Sequence, residues 1–213
     1  MPRDPHRDQP IFVWGATLDT ASAAIVMVHG RGASVDDMRA LAGEIEHPNV
    51  AYIAPAAAGH TWYPYSLLEP MQRNESSLSS ALRLLERASA KASDAKIPSE
   101  RLALLGFSQG GCVAVEFAAR HARRYGAVIG LSAGLIGHEG TPRDYKGSLV
   151  GTPVFLGCGD VDPHIPKRRV DHTAEVLGKM GAVVDKRIYP GMGHTVNADE
   201  IAAVRALVEN LTR

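Results

Sequence analysis

The stretch LALLGFSQGGCVAVEFAA, residues 102–119, contains the pattern on which the architecture of this chain depends. Its first four residues are continuously apolar, which is typical of a strand buried on both faces of a parallel sheet. Residues 112–119 contain no Pro or Gly and indicate a helix. Between them, GFSQG at residues 106–110 matches G-x-S-x-G, which is typical of a sharp strand-to-helix turn that exposes a serine hydroxyl.

Outward from this segment, apolar runs alternate with helical patterns along the chain. The predicted strands are 11–14, 23–28, 50–54, 101–105, 127–131, 153–156 and 183–189. The predicted helices are 35–46, 72–91, 109–122, 167–180 and 198–211, and Ser34 with Asp37 forms a capping-box pattern before the first of them. This alternation predicts an α/β fold with βαβ units and a mainly parallel central sheet that has helices on both faces.

No repeat, low-complexity tract or linker divides the sequence. Residues 11–213 are therefore predicted to form a single α/β domain with no separate lid domain, preceded by a flexible tail over residues 1–10. Residues 55–70 and 133–151 are predicted to be long loops, which in compact domains are often functional. Ligands of such sheets bind beyond the carboxyl ends of the strands, so the chemistry is expected there.

Charge and composition exclude several kinds of partner. The 213 residues include 23 Lys and Arg and 23 Asp and Glu, and 45% are hydrophobic. With a formal net charge of zero, no overall field favours nucleic acid or an anionic membrane, and neither partner is predicted. Residues 1–10 lack the apolar stretch of a signal peptide, and no apolar run is long enough to span a bilayer, so a cytoplasmic location is predicted.

The two cysteines, Cys112 and Cys158, form no C-x-x-C pattern and lie in apolar stretches, which predicts buried free thiols. The glycine-rich segment HGRGA at 29–33 is a candidate phosphate cradle, but the sequence contains neither G-x-G-x-x-G nor G-K-[ST]. No cofactor and no metal are therefore predicted. The sequence leaves the oligomeric state open and is compatible with a homodimer.

A second G-x-S-x-G match, GLSAG at residues 130–134, also follows a predicted strand. The next residues, 135–142, contain two glycines and a proline, and no stable helix begins there. Ser132 is therefore interpreted as a turn serine at a strand end. Ser108, with a strand before it and a helix after it, is the predicted nucleophile.

A serine hydroxyl is a weak nucleophile and needs a general base within hydrogen-bonding reach. Among the histidines that follow Ser108, His194 lies in PGMGH at 190–194, a glycine-flanked loop between the last strand and the last helix. Such a loop can present an imidazole over a serine two or three strands away. His194 is the predicted base, and His138 and His164 are alternatives.

The acid that orients the imidazole is expected at the end of the preceding strand. GDVDP at 159–163 offers Asp160 and Asp162, and the spacing alone does not choose between them. One of the two is expected to serve only as a turn cap.

The negative oxygen of a tetrahedral intermediate needs preorganised backbone N–H donors. One donor is expected from Gln109, directly after the predicted nucleophile. The other is expected from the loop at 29–33, with Arg31 as the donor. In the loop at 55–70, Trp62, Tyr63 and Tyr65 are candidate substrate-binding residues; packing within the loop or core is the alternative for all three and the favoured one for the tyrosines.

These residues together resemble the phospholipase/carboxylesterase family of α/β-hydrolases, which includes bacterial carboxylesterases and acyl-protein thioesterases. The resemblance extends over nearly the whole chain, from about residue 23 onward. The motifs that carry it are HGRGAS at His29, TWYPYS at Thr61, GFSQGG at Gly106, LSAG at Leu131, CGDVDPHIP at Cys158 and YPGMGHTV at Tyr189.

The resemblance implies an α/β-hydrolase fold and a serine carboxylesterase that hydrolyses esters through an acyl-enzyme. It assigns the acid to Asp162, supports Ser108 and His194, and supports Arg31 and Gln109 as backbone donors.

The sequence departs from the thioesterase members at HGLGD, where Arg31 and Ala33 replace an apolar residue and an acid. A cation pointing into the acyl pocket would disfavour a long alkyl chain, so short- to medium-chain esters are the expected substrates. A lysophospholipase or acyl thioesterase is the alternative within enzymes. A hydrolase-derived ligand-binding module with little turnover is the alternative from another class.

Overall fold

The computed structural model describes residues 4–213, and this part of the chain contains one seven-stranded sheet. Its strands are β1 (Ile11–Gly15), β2 (Ala23–Val28), β3 (Val50–Pro55), β4 (Leu102–Phe107), β5 (Ala127–Leu131), β6 (Pro153–Gly159) and β7 (Val183–Tyr189). The order across the sheet is β1-β3-β2-β4-β5-β6-β7. Only β1 is antiparallel to its neighbour, so the predicted mainly parallel sheet is confirmed.

Five α-helices of the described residues cover both faces of the sheet. They are α1 (Val35–Glu44), α2 (Met71–Asp94), α3 (Gln109–Arg120), α4 (Lys167–Lys179) and α5 (Ala198–Leu211). Buried side chains of α2, α3 and α4 belong to the hydrophobic core on one face. Those of α1 and α5 belong to the core on the other face. No separate lid domain is present within residues 4–213, as predicted.

The elements lie close to the predicted ranges, and they differ mainly at their ends. Helix α1 begins after the predicted capping box, in which Asp37 Oδ2 accepts the backbone N–H of Ser34 at 2.8 Å. Helix α2 is longer than predicted, and strands β4 and β6 continue two and three residues past their predicted ends. Those extra strand residues are mostly Gly and Cys, for which strand propensity is a weak guide.

The central strands bury every residue or all but one, which explains their continuous apolar runs. Because β2, β4, β5, β6 and β7 are parallel, their carboxyl ends meet at one edge of the sheet. The loops at that edge include 29–34, 132–152, 160–166 and 190–197. This edge collects the candidate residues from four distant parts of the sequence.

The structure describes residues 4–10 of the predicted flexible tail, and Asp4 and His6 contact the domain. The ring of His6 is buried; its Nδ1 accepts the N–H of Ala58 at 3.1 Å, so Nε2 donates to the carbonyl of Trp62 at 3.0 Å. Asp4 forms an ion pair with Arg83 at 3.0 Å. These partners lie more than fifty residues away, so no local pattern could indicate them. Residues 1–3 of the predicted tail lie outside the described residues.

Two predictions from composition can be compared with the structure. Cys112 and Cys158 are both free and buried, as expected. Within residues 4–213, no helix combines the length and apolar character that a membrane span requires.

A buried carboxylate closes the N-terminus of α5. Glu200 Oε2 accepts the N–H of Asn197 at 2.8 Å, while the Asn197 side chain accepts the N–H of Glu200 at 2.9 Å. Glu200 is 0% exposed. In the described part of the chain its Oε1 has no hydrogen-bond partner and faces the backbone of Gly157 in β6. Burial raises the pKa of Glu200 to about 7.

This raised pKa predicts a loss of stability as the pH rises. The folded protein binds the Glu200 proton more tightly than the unfolded chain, so the associated stability is complete below about pH 4.5 and lost as the pH passes about 7. We expect this group to lower the free energy of unfolding by about 1–3 kcal/mol between pH 5 and pH 8. Urea denaturation at both pH values measures it. Glu200→Gln should remove this contribution, and an identical pH dependence in both proteins would contradict the assignment.

Candidate active site

Ser108 lies on a strained turn between β4 and α3. Its backbone angles are φ 56° and ψ −125°, in a region that side-chain-bearing residues rarely adopt. The flanking glycines make the turn possible: a Cβ on Gly110 would lie 2.1 Å from the carbonyl oxygen of Val28, and one on Gly106 would lie 2.5 Å from the backbone of Gly110. The G-x-S-x-G spacing is therefore a packing requirement as well as a motif.

The structure brings Ser108, His194 and Asp162 into one hydrogen-bonded series. His194 Nε2 lies 2.8 Å from Ser108 Oγ, and His194 Nδ1 lies 2.7 Å from Asp162 Oδ2. With a carboxylate on Nδ1, the neutral ring carries its proton there and leaves Nε2 free to accept the serine proton. This is the geometry of a nucleophile, a general base and an orienting acid.

Three hydrogen-bond donors, His194 and two backbone N–H groups, favour the carboxylate form of Asp162. Its Oδ1 accepts the backbone N–H groups of His164 at 2.8 Å and Ile165 at 2.9 Å. Burial acts to raise the pKa of Asp162, but the hydrogen bonds from His194, Ile165 and His164 outweigh it and lower that pKa below its usual value. Asp160 instead accepts the N–H of Gly191 at 2.7 Å, so it joins the loop after β6 to the loop after β7 rather than capping its own turn.

The thiol of Cys158 also lies beside Asp162, a contact that was not predicted from the sequence. Cys158 Sγ lies 3.7 Å from Asp162 Oδ2, the oxygen that also faces His194. Burial, reinforced by the charge of Asp162, raises the pKa of Cys158 to about 12. Cys158 is therefore a protonated thiol at neutral pH, and Gly159 O at 3.4 Å, Ile165 O at 3.6 Å and Asp162 Oδ2 are the possible acceptors of its one proton.

Two rings position the imidazole of His194. The ring of Phe107 packs 4.9 Å from it, and that of His164 meets it edge-on at 4.8 Å, both between centroids. His164 was an alternative base, and the structure places it beside the imidazole of His194. His138 lies in the loop after β5 and lines a different cavity.

The two predicted oxyanion donors lie at the turn that carries Ser108. A Cβ on Gly30 would lie 3.6 Å from the Cβ of Ser108, which places the loop containing Arg31 directly beside it. The N–H groups of Gly32 and Ala33 donate hydrogen bonds to His60 O and Gly30 O, respectively. Among the described residues, the N–H groups of Arg31 and Gln109 donate to no protein acceptor, so both are free to bind an anionic oxygen.

The Arg31 side chain holds the loop at residues 63–65. Its guanidinium donates to the carbonyl oxygens of Tyr63, Pro64 and Tyr65 at 3.0, 2.9 and 2.9 Å. The Gln109 side chain reaches the same loop, donating to Tyr63 O at 2.8 Å and accepting from Trp62 N at 3.0 Å. The charged head of Arg31 is therefore engaged by backbone carbonyls at the pocket wall.

The aromatic residues of this loop differ from the sequence expectation. Trp62 is 0% exposed and donates from Nε1 to His29 O at 2.7 Å, which attaches the loop to the end of β2. Trp62 does not line the pocket, so its prediction as a substrate-binding residue is wrong. Tyr63 and Tyr65 do line the pocket, a cavity of about 420 Å³. The other lining residues are Arg31, Pro64, Ser66, Leu67, Ser108, Gln109, Cys112, His164, Ile165 and His194.

Ser132, the second G-x-S-x-G serine, is fully buried. It has φ 46°, follows β5, and donates its backbone N–H to Gly157 O at 2.7 Å. No helix begins after it. The structure thus places Ser132 at a strand end, buried and outside the lining of the pocket that contains Ser108.

A mainly parallel sheet, a strand-turn-helix serine and a histidine at the end of the last strand define an α/β-hydrolase. The family model described as phospholipase/carboxylesterase matches residues 13–212. The chain belongs to the phospholipase/carboxylesterase family.

Several known proteins are similar to this chain. The crystal structure of a phospholipase/carboxylesterase from Dyadobacter fermentans is 39% identical, with a TM-score of 0.91 over 95% of this chain and 97% of that one. An acyl-protein thioesterase 1 of Gibberella zeae is 33% identical over 117 residues, 54% of this chain and 50% of the relative, so the chain spans about half of that relative's length. Acyl-protein thioesterase 1 of Candida albicans is 26% identical, covering 92% of this chain and 95% of that protein.

The Arg31 contacts predict that removing its side chain loosens the pocket wall. Arg31→Ala leaves three carbonyls without their donor while keeping the backbone N–H beside Ser108. We expect about a tenfold loss of kcat/KM toward a p-nitrophenyl ester, since each hydrogen bond to a charged donor contributes about 1.5–3 kcal/mol, partly replaced by water. Amide hydrogen exchange at residues 63–66 should become faster.

Arg39→Ala is the matched control, because Arg39 is a partly exposed arginine whose ion pair with Asp36 lies in α1. It should change neither measurement. Unchanged kcat/KM and unchanged exchange in Arg31→Ala would show that the guanidinium does not hold the loop.

Proposed function

We propose that this protein hydrolyses carboxylic esters through an acyl-enzyme formed on Ser108. The single observation that carries the proposal is the series Ser108 Oγ–His194 Nε2 at 2.8 Å and His194 Nδ1–Asp162 Oδ2 at 2.7 Å. Both distances are within the range required for proton transfer and for orientation of the base. Membership of the phospholipase/carboxylesterase family supports the same chemistry.

In the acylation step, Ser108 Oγ attacks the ester carbonyl carbon and His194 Nε2 takes the hydroxyl proton. The negative carbonyl oxygen binds the N–H groups of Arg31 and Gln109. Asp162, ionised because its pKa is lowered, stabilises the imidazolium. The carbon–oxygen bond to the alcohol then breaks, and His194 gives its proton to the leaving alkoxide.

In the deacylation step, water replaces the alcohol. His194 removes a proton from the water as it attacks the acyl carbon, and the same two N–H groups bind the second oxyanion. The acid leaves when the bond to Ser108 Oγ breaks and the proton returns to the serine. One ester and one water therefore yield one acid and one alcohol.

The pocket favours acyl chains of short to medium length. Leu67 and Ile165 are its aliphatic lining residues, and most of the other lining side chains are polar or aromatic, so the pocket offers little aliphatic surface to a long chain. Tyr65 and Arg31 stand at its exposed side. A long alkyl chain would extend past these groups into water and gain little from burial.

Acyl thioesterase activity is a second candidate, because the acyl-protein thioesterases of two fungi are similar to this chain. The same nucleophile, base and oxyanion donors serve a thioester. The discriminating quantity is kcat/KM for an oxygen ester and a thioester that carry the same acyl group.

The nucleophile assignment predicts that Ser108→Ala abolishes turnover. Loss of the attacking oxygen should lower kcat by about 10³-fold or more. A fluorophosphonate probe, which labels activated serines, should modify the parent protein at Ser108 and leave Ser108→Ala unlabelled. Ser132→Ala is the matched control and should keep its labelling. A folded parent protein that resists the probe would favour a ligand-binding module with little turnover.

The chain-length assignment predicts the order of rates in a p-nitrophenyl ester series from acetate to palmitate. We expect kcat/KM to be highest at four to eight acyl carbons and to fall for longer chains. Substrate concentrations below micelle formation keep the comparison valid. The highest kcat/KM on palmitate would overturn the chain-length proposal and leave the serine mechanism intact.

A further inference from the structure

A second cavity lies behind the loop that walls the active-site pocket. Its volume is about 370 Å³. Its lining comes from the first two turns of α4, from the loop that follows β5, and from Leu68. The lining residues are Leu68, His138, Glu139, Gly140, Arg168, Arg169 and His172.

Arg169 is the unusual member of this lining because it is 6% exposed. Within residues 4–213 its guanidinium makes one hydrogen bond, from Nη2 to Gly137 O at 2.6 Å, and no ion pair with a carboxylate. Burying a guanidinium without an acidic partner is costly. Burial and the charge of Arg143 lower the pKa of Arg169, although the charge of Glu139 acts in the opposite direction.

The surroundings add further positive charge. Arg168 also lines the cavity, and α4 has neither a side-chain cap nor an acidic residue in its first turn. Arg143 has Nε and Nη2 buried and unpartnered in the described part of the chain, but its Nη1 lies 3.9 Å from Glu116 Oε2, which offsets its charge. Glu139 is the one carboxylate among the lining residues. Two lining arginines and a helix N-terminus against one carboxylate favour an anion.

The cavity adjoins the active-site pocket. Leu67 lines the pocket and Leu68 the cavity, and Ile165, in the loop just before α4, also lines the pocket. Through the core, a Cβ on Gly134 would lie 2.7 Å from Arg169 Cγ, and the N–H of Gly134 donates to Cys112 Sγ at 3.5 Å. Cys112 itself lines the active-site pocket. Gly134 and Cys112 thus connect Arg169 to the active-site pocket, and the consecutive residues Leu67 and Leu68 line the two cavities side by side.

We propose that this cavity binds an anionic group, a carboxylate or a phosphate, carried by the ester that Ser108 cleaves. Arg169 and Arg168 supply the charged hydrogen bonds, and Leu68 contacts the carbon chain that joins the anion to the ester. The inference rests on the proposed esterase function and adds a class of substrate to it: esters with an acidic substituent at one end.

The test compares anionic and neutral esters of equal length. One series carries the carboxylate or phosphate on the acyl part, as in mono-p-nitrophenyl glutarate against p-nitrophenyl pentanoate. The other carries it on the alcohol part, as in the butyrate esters of 4-hydroxybenzoate and of phenol. We expect at least one anionic ester to have about tenfold higher kcat/KM than its neutral partner, because the charged hydrogen bonds from the arginines are available only to the anion.

Arg169→Gln should reduce the ratio of kcat/KM for the anionic ester to kcat/KM for the neutral ester to about one. It should leave kcat/KM for the neutral ester within about twofold of the parent value. Arg168→Gln, at an exposed position, should reduce the same ratio about threefold and does not depend on the folding of a core variant. Lys179→Gln is the matched control, because it removes one positive charge from the far end of α4 and lines neither cavity. It should keep the full preference.

Equal kcat/KM for anionic and neutral esters in both series would overturn the inference, and so would a preference that survives in Arg168→Gln and in a folded Arg169→Gln. Calorimetric titration of Ser108→Ala with glutarate and with inorganic phosphate separates the two sources of an anion. If these ions bind but no anionic ester is preferred, the cavity is a site for free anions and the substrate proposal is wrong. Failure of the esterase function itself would appear separately, as absence of turnover on the neutral esters.

Discussion

The close approach of the backbones of Gly106, Gly110 and Val28 is the constraint on which the site depends. With no side chain at either glycine, α3 begins immediately after β4 and Ser108 is held at φ 56°. A non-glycine residue in this conformation costs about 1–3 kcal/mol, which the packing around it must offset. In return, the Oγ of Ser108 faces His194, and the N–H of Gln109 is left without a helical acceptor beside it.

The loop at residues 62–65 is held in place by hydrogen bonds from the side chains of Arg31 and Gln109. Arg31 and Gln109 both offer a backbone N–H near Ser108, and both send their side chains to carbonyl or N–H groups at residues 62–65. Trp62 anchors the same loop to His29 from inside. The oxyanion donors and the pocket wall are therefore parts of one hydrogen-bonded unit, and a displacement of either affects the other.

Two buried carboxylates show how local donors decide ionisation. Asp162 and Glu200 are both largely buried, yet the pKa of Asp162 is lowered and that of Glu200 is raised to about 7. Asp162 has both oxygens hydrogen-bonded, whereas Glu200 leaves Oε1 without a partner in the described residues. Burial acts in the same direction on both, and the number of donors determines which group stays charged.

The sequence by itself determined the order of strands and helices, the capping box at Ser34, and the preference for Ser108 over Ser132, because each follows from neighbours within a few residues. It left Asp160 and Asp162 equivalent, and only the resemblance to a family separated them. Packing between distant segments decided the rest: that Trp62 is buried while two tyrosines line the pocket, and that Asp4 and His6 contact the domain. Packing also decided that the Arg31 guanidinium binds the carbonyl groups of residues 63–65 and that Arg169 has no carboxylate partner among the described residues. These outcomes depend on contacts between side chains that are far apart in the sequence. The residue pattern of a single strand or helix reports only its own periodicity and does not specify such contacts.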